Sequence, residues 1–117
     1  MQYQILWFEN DDGTFASFSF DEIRSHLGDR GFEAGVLHMK GEEPTDEIIK
    51  QAQKSDLIVM DFALEGPEQG DELIDRIRNL DINTEVVFYS AAGVSTLRDK
   101  VREKELDGVY CRGRADI

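Results

Sequence analysis

The chain has 117 residues, 40% hydrophobic and 32% charged, which suits one soluble globular domain, residues 1–117, with a core of its own. Its 25 acidic and 13 basic side chains leave a formal charge of −12, a surface that repels phosphate backbones and argues against direct DNA or RNA binding. No apolar stretch is long enough to span a membrane, no leader pattern opens the chain, and the single cysteine, Cys111, cannot form an internal disulfide, so a cytoplasmic protein is expected.

Residues 3–8 carry apolar side chains on both faces, the pattern of a central parallel strand. Residues 10–18 read as a polar, glycine-containing loop. Ser19 is expected to cap a helix, with Glu22 completing a capping box and Phe20, Ile23 and Leu27 forming the apolar face. Gly28 and Gly31 end that helix, and residues 34–38 read as a weaker edge strand. The acidic pair Glu42-Glu43 belongs to a solvated loop. Pro44 and Thr45 open the next helix, with Ile48, Ile49 and Ala52 as its buried stripe.

Residues 56–61 make the strongest strand. Residues 65–70 form a loop by composition, and from Asp71 the spacing of Leu73, Ile74, Ile77 and Leu80 predicts a helix. Residues 85–90 are a further strand. Ala91-Ala92-Gly93 turns into a helix carrying Leu97 and Val101. After a turn at Asp107-Gly108, residues 109–112 give a last short strand, and residues 113–117 are too few for another full element. Strands and helices thus alternate, which predicts an α/β fold with a parallel sheet covered on both faces.

Two strands deliver acids at their C-terminal ends. Asp61 follows Leu57-Ile58-Val59-Met60, and Glu9-Asn10-Asp11-Asp12 follows Ile5-Leu6-Trp7-Phe8. An open parallel sheet places its chemistry at that edge. Together the order of elements and these residues resemble the receiver domain of bacterial response regulators, over nearly the whole chain. Asp61 in Ile58-Val59-Met60-Asp61-Phe62-Ala63 is similar to the family's phosphoacceptor. Ser90-Ala91 is similar to its fourth-strand hydroxyl residue and small neighbour, and Gly70 to the glycine that opens its third helix. The resemblance implies a flavodoxin-like, doubly wound five-stranded sheet of order 2-1-3-4-5. Where the family's fifth helix begins, this sequence stops.

The chain departs from the family at two places. Glu9-Asn10 stands where adjacent acids are usual, and Arg112-Gly113 stands where Lys-Pro is usual. The family's aromatic switch position falls on Val109, while the adjacent Tyr110 is expected to face the other way.

The resemblance implies phosphorylation of Asp61 from a histidine kinase or phosphotransfer protein, with Mg²⁺ as cofactor. Glu9, Asn10, Asp61 and the carbonyl of Ala63 would hold the ion, and Ser90 and Arg112 would contact the phosphoryl group. The chemistry suits these residue types. A carboxylate must be shielded from an anionic donor, which a hard cation with oxygen ligands and a side-chain cation can do. The output would be a protein surface near residues 95–112, read by a downstream protein or effector domain. Such a chain is a signalling receiver rather than an enzyme with an external product.

A different reading is a pseudo-receiver that has lost phosphorylation through Asn10 and Arg112, and works as a protein-binding module or homodimer. A third is an unrelated small enzyme of flavodoxin-like topology, whose flavin-binding version the acidic 9–12 run disfavours because it would repel an anionic cofactor. His26 and His38 read as structural polar residues, Trp7 as core and Cys111 as a small buried side chain.

Overall fold

A computed structural model of the protein describes residues 1–41, 45–64, 69–91 and 93–117. The expected Glu42-Glu43 loop, Pro44 of the expected helix start, residues 65–68 of the expected 65–70 loop, Ala92 of the expected turn and the capping side chain expected of Thr45 lie outside the described residues.

Five strands run in parallel: β1 (Gln2–Phe8), β2 (Glu33–Met39), β3 (Leu57–Asp61), β4 (Val86–Ser90) and β5 (Val109–Gly113). Their order is β2-β1-β3-β4-β5, as expected for the flavodoxin-like sheet. The intervening helices are α1 (Asp12–Ala16), α2 (Phe20–Gly28), α3 (Thr45–Lys54), α4 (Gly70–Asn79) and α5 (Ser95–Glu103), and a 3₁₀ turn, Arg114–Asp116, follows β5. Among the described residues no helix is long and apolar enough to cross a membrane.

Strand alternation splits the core in two. Leu6, Phe8, Ile58, Met60, Val86 and Phe88 meet Ile48 and Ala52 of α3, Leu73, Ile74 and Ile77 of α4, and Leu97 of α5. On the opposite face Ile5, Trp7, Val59 and Tyr89 meet Phe15, Phe18, Phe20, Ile23 and Leu27. With both faces covered at β1, β3 and β4, those strands need apolar residues in sequence, which is why their runs are continuous rather than alternating. β2 and β5 are edges, and only Met39 of β2 is fully buried.

Four local expectations are corrected. Residues 10–18 are not simply a loop, because Asp11 caps the short helix α1 by accepting the Thr14 amide at 2.9 Å. Phe15 and Phe18, within this supposedly polar segment, dock on Trp7 with ring centroids at 6.0 and 4.7 Å. Their burial supplies the driving force that a five-residue helix lacks alone. Ser19 sits at the N-cap of α2, but its side chain makes no cap bond. The backbone amide of Gln69 instead donates to Glu72 at 3.0 Å, closing the start of α4.

The fourth correction concerns Leu80. It is the C-cap of α4 rather than part of the buried stripe, and it is 52% exposed. The end of α4 is tied down by Arg78. Its guanidinium donates to the carbonyl of Ile82 at 2.8 Å and to that of Asp107 at 3.0 and 3.1 Å. Asp107 precedes Gly108, whose φ of +66° gives the chain its turn into β5.

Candidate functional site

The C-terminal ends of β1 and β3 lie side by side, with Phe8 paired to Met60 in register, so Glu9 and Asp61 emerge as neighbours. Around them is a recess of about 300 Å³ lined by Glu9, Asn10, Asp11, Thr14, Asp61, Ala63 and Arg114. Glu9 is almost fully buried, at 3% exposure. Such a carboxylate needs hydrogen bonds, and it has them. The Tyr89 hydroxyl donates to Oε1 at 2.8 Å, and the Asp11 amide donates to Oε2 at 3.0 Å. The Trp7 indole N–H donates to the same Tyr89 hydroxyl at 3.2 Å.

The direction of this chain follows from valence. An indole nitrogen can only donate, so the Tyr89 oxygen accepts from it and spends its single hydrogen on Glu9. Burial and the two neighbouring carboxylates raise the Tyr89 phenol well above its ordinary value, so it remains a donor. Both Glu9 oxygens accept hydrogen bonds from these donors. Burial, followed by the Glu9 carboxylate beside it, pushes the Asp61 carboxyl up to about 7. The Ala63 amide, at 3.3 Å from Asp61 Oδ1, and the Arg114 guanidinium pull the other way.

The supporting frame comes from the loops. His38 of β2 is bonded through Nε2 to the Glu9 carbonyl at 2.6 Å, and its ring stacks on Phe15 at 3.8 Å. Asn10 Oδ1 accepts the Gly41 amide at 2.9 Å. Phe62 donates its amide to the Tyr89 carbonyl at 2.9 Å and accepts that of Gly70 at 3.0 Å, drawing the start of α4 against the end of β3.

The sequence-predicted residues divide. Glu9, Asn10, Asp61 and Ala63 share the recess. Ser90 is buried at the end of β4 and is not among the residues that line the recess. Arg112 is not there either. Register pairs it with Tyr89, but it lies on the edge strand β5, exposed, and its guanidinium donates to the Cys111 carbonyl at 2.8 Å. The cation at the recess is Arg114, two residues later in the 3₁₀ turn, and the Asp11 carboxyl is held below its usual range by the Thr14 amide first, with Arg114 a smaller contributor. Sequence reasoning missed Arg114, Tyr89 and the role of Asp11 as a cap. Asp11 and Thr14, three apart, were the legible signal for that cap.

Among the described residues no three His, Cys, Asp and Glu side chains converge as a metal cluster. The recess offers instead two carboxylates in contact, with Asn10 and Ala63 beside them. Mg²⁺ often binds through one or two carboxylates while keeping several waters, so an all-oxygen set of this kind fits it. The crowding of the buried Glu9 carboxylate and the half-buried Asp61 carboxylate is a further reason for a cation to be favoured there.

Tyr110 is exposed and Val109 packs on the core, so the two alternate as expected, and among the described residues no aromatic side chain occupies the position of Val109. Cys111 is half-buried, and burial pushes its thiol up, which fits an inert side chain.

No family model and no curated protein sequence matches the chain. Solved structures do. The BeF3-activated N-terminal receiver domain of Klebsiella pneumoniae RstA is 18% identical with a TM-score of 0.61, covering 92% of this chain and 84% of that one. A chain of the CheX–CheY–BeF3–Mg²⁺ complex from Borrelia burgdorferi is 18% identical with a TM-score of 0.63, covering 97% and 82%. A Burkholderia pseudomallei response regulator with a phosphorylated aspartic acid, calcium ion and citrate is 19% identical with a TM-score of 0.58, covering 94% and 59%. Strand order, the position of Asp61 and these likenesses agree: the chain has the fold of a response regulator receiver domain.

Proposed function

We propose that this chain is a phosphoacceptor receiver, phosphorylated on Asp61 by a histidine kinase or phosphotransfer protein. The observation that carries the reading is the contact between buried Glu9 and Asp61 at the C-terminal edge of the sheet, with Asp61 displaced to about 7. Neighbours of the same fold include a response regulator with a phosphorylated aspartic acid and a complex containing Mg²⁺.

In this reading Glu9, Asp61, the Ala63 carbonyl and Asn10 would hold Mg²⁺, which would supply charge neutralisation for the transfer. Asp61 presents a carboxylate oxygen to phosphorus. The bond from phosphorus to the donor's imidazole nitrogen breaks as the new oxygen–phosphorus bond forms, leaving an aspartyl phosphate. Arg114 faces the added charge, with Arg112 as the other candidate cation, and Ser90 donates its hydroxyl to a phosphoryl oxygen. The new charge then biases the α5–β5 surface read by a downstream protein or effector domain. The product stays on the protein, in the cytoplasm, so the chain acts as a signalling switch.

Two placements favour a second reading, a pseudo-receiver that binds proteins without phosphorylation: Asn10 is engaged by Gly41, and Arg112 is turned to its own strand. Incubation with Mg²⁺ and acetyl phosphate, followed by intact mass, separates the two. One phosphoryl adduct that vanishes in Asp61→Asn supports the switch. Folded protein without an adduct at saturating donor supports the module.

A further inference from the structure

Tyr89 takes no direct part in phosphoryl transfer. Its ring is fully buried, and its hydroxyl lies at the middle of a polar path through an otherwise apolar layer. The Trp7 indole is 1% exposed and wedged by Phe15, Phe18 and Phe20. The ring of Tyr89 is held edge-on by Phe18 at 5.7 Å. Neither ring can turn without disturbing this aromatic packing. The hydroxyl is therefore fixed in place by the ring and in direction by Trp7, and it points its hydrogen at Glu9 Oε1.

Glu9, by contrast, has several rotatable bonds of its own. Its backbone is anchored by the bond from its amide to Met39 at 3.1 Å, but that does not set where the carboxylate faces. The Tyr89 hydroxyl on one oxygen and the Asp11 amide on the other do so. Two single bonds at separate oxygens leave the further lone pairs of Glu9 available toward Asp61. This is the arrangement by which groups behind a metal ligand orient it.

We propose that Tyr89, fixed by Trp7, is the positioning residue that aims the Glu9 carboxylate at the divalent cation shared with Asp61. The inference rests on the metal site of the proposed function and adds the residue that determines its affinity. Tyr89 touches no ion itself. A merely structural role would let Tyr89→Phe lower the melting temperature and leave cation binding intact once the protein is folded.

The test is calorimetric titration of the full chain with Mg²⁺, well below the melting temperatures, for wild type, Tyr89→Phe and Trp7→Phe. Tyr89→Phe keeps the ring and removes only the hydroxyl. It should weaken Mg²⁺ binding by about 10-fold or more. Trp7→Phe frees the hydroxyl to rotate and should produce a smaller loss of the same sign. Circular dichroism confirms that each variant is folded. Wild-type affinity in folded Tyr89→Phe overturns the proposal while leaving the metal site standing. If Tyr89→Phe does not fold, Trp7→Phe decides, and an unchanged affinity there overturns it too. A wild-type chain that binds no Mg²⁺ removes this inference together with the metal reading beneath it.

Discussion

A side chain on Gly70 would collide with the backbone of Asp61. A Cβ there would drive into the Asp61 carbonyl oxygen, and it would also come within 2.9 Å of the Phe88 ring and 3.0 Å of the Phe62 Cα. The first residue of α4 is thus a glycine because the helix starts against the end of the strand that carries the candidate nucleophile. Backbone cannot move aside as a flexible side chain can. Gly70→Ala should destabilise the protein by about 1–3 kcal/mol or more, despite alanine's higher helix propensity. Thermal unfolding checks this, and a melting temperature equal to wild type would show that α4 shifts freely.

The Asp61 carboxyl makes stability depend on pH. Its pKa is about 7 in the folded chain against the ordinary 3.8 of an aspartate carboxyl. The folded protein therefore holds a proton that the unfolded chain gives up between those values. The stabilisation is complete below about pH 4 and is lost as pH rises through about 7. In the absence of divalent cations, Asp61→Asn should raise the melting temperature clearly at about pH 8 and much less at about pH 5. Mg²⁺ competes with that proton, so its stabilisation of the wild type should grow over the same interval. A variant without any gain at the higher pH would mean that Asp61 is not strained by Glu9.

The two arginines can be told apart by rate. Arg114 lines the recess and draws on Asp61, whereas Arg112 donates to the Cys111 carbonyl. Arg114→Ala should slow phosphorylation by acetyl phosphate about 10-fold or more, while Arg112→Ala leaves the rate near wild type. Intact-mass time courses make the comparison. The reverse order of effects would show that β5 rearranges so that Arg112 reaches the phosphoryl group.

Arg78 joins the end of α4 to the turn before β5 through the carbonyls of Ile82 and Asp107. Removing its guanidinium leaves these acceptors to water and frees the turn at Gly108. Arg78→Ala should cost about 1–3 kcal/mol. Arg78→Lys should recover only part of it, because an ammonium lacks the planar fork that serves both carbonyls. Chemical denaturation of the three proteins measures both differences.

The sheet was legible because its inner strands are buried on two sides. Ile58-Val59-Met60 admits no polar residue, so strand, direction and the acid at its end could all be read from the chain. The segment around Phe15 was not legible in the same way. Asp11, Asp12, Gly13 and Thr14 have the composition of a turn, and only the tertiary contact of Phe15 and Phe18 with Trp7 makes a helix worthwhile there.

The site was half legible for a related reason. Glu9 and Asp61 each end an apolar run, so both could be named. The link from Tyr89 to Glu9 spans 80 residues and depends on strand register, which no local pattern encodes. Arg114 rather than Arg112 lines the recess because Val109 and Cys111 of β5 pack on the core, Arg112 is exposed, and the chain leaves the strand after Gly113 for the 3₁₀ turn that carries Arg114, a turn that no local pattern in the sequence marked.

Trp7 is the only tryptophan in the chain, and it stands at the far end of the hydrogen-bonded path that begins at the acidic pair. The protein therefore carries an intrinsic optical probe coupled to its own candidate site. Emission from the indole should shift when the charge on Glu9 and Asp61 is neutralised, and stopped-flow fluorescence could follow occupancy of the recess in real time without a label.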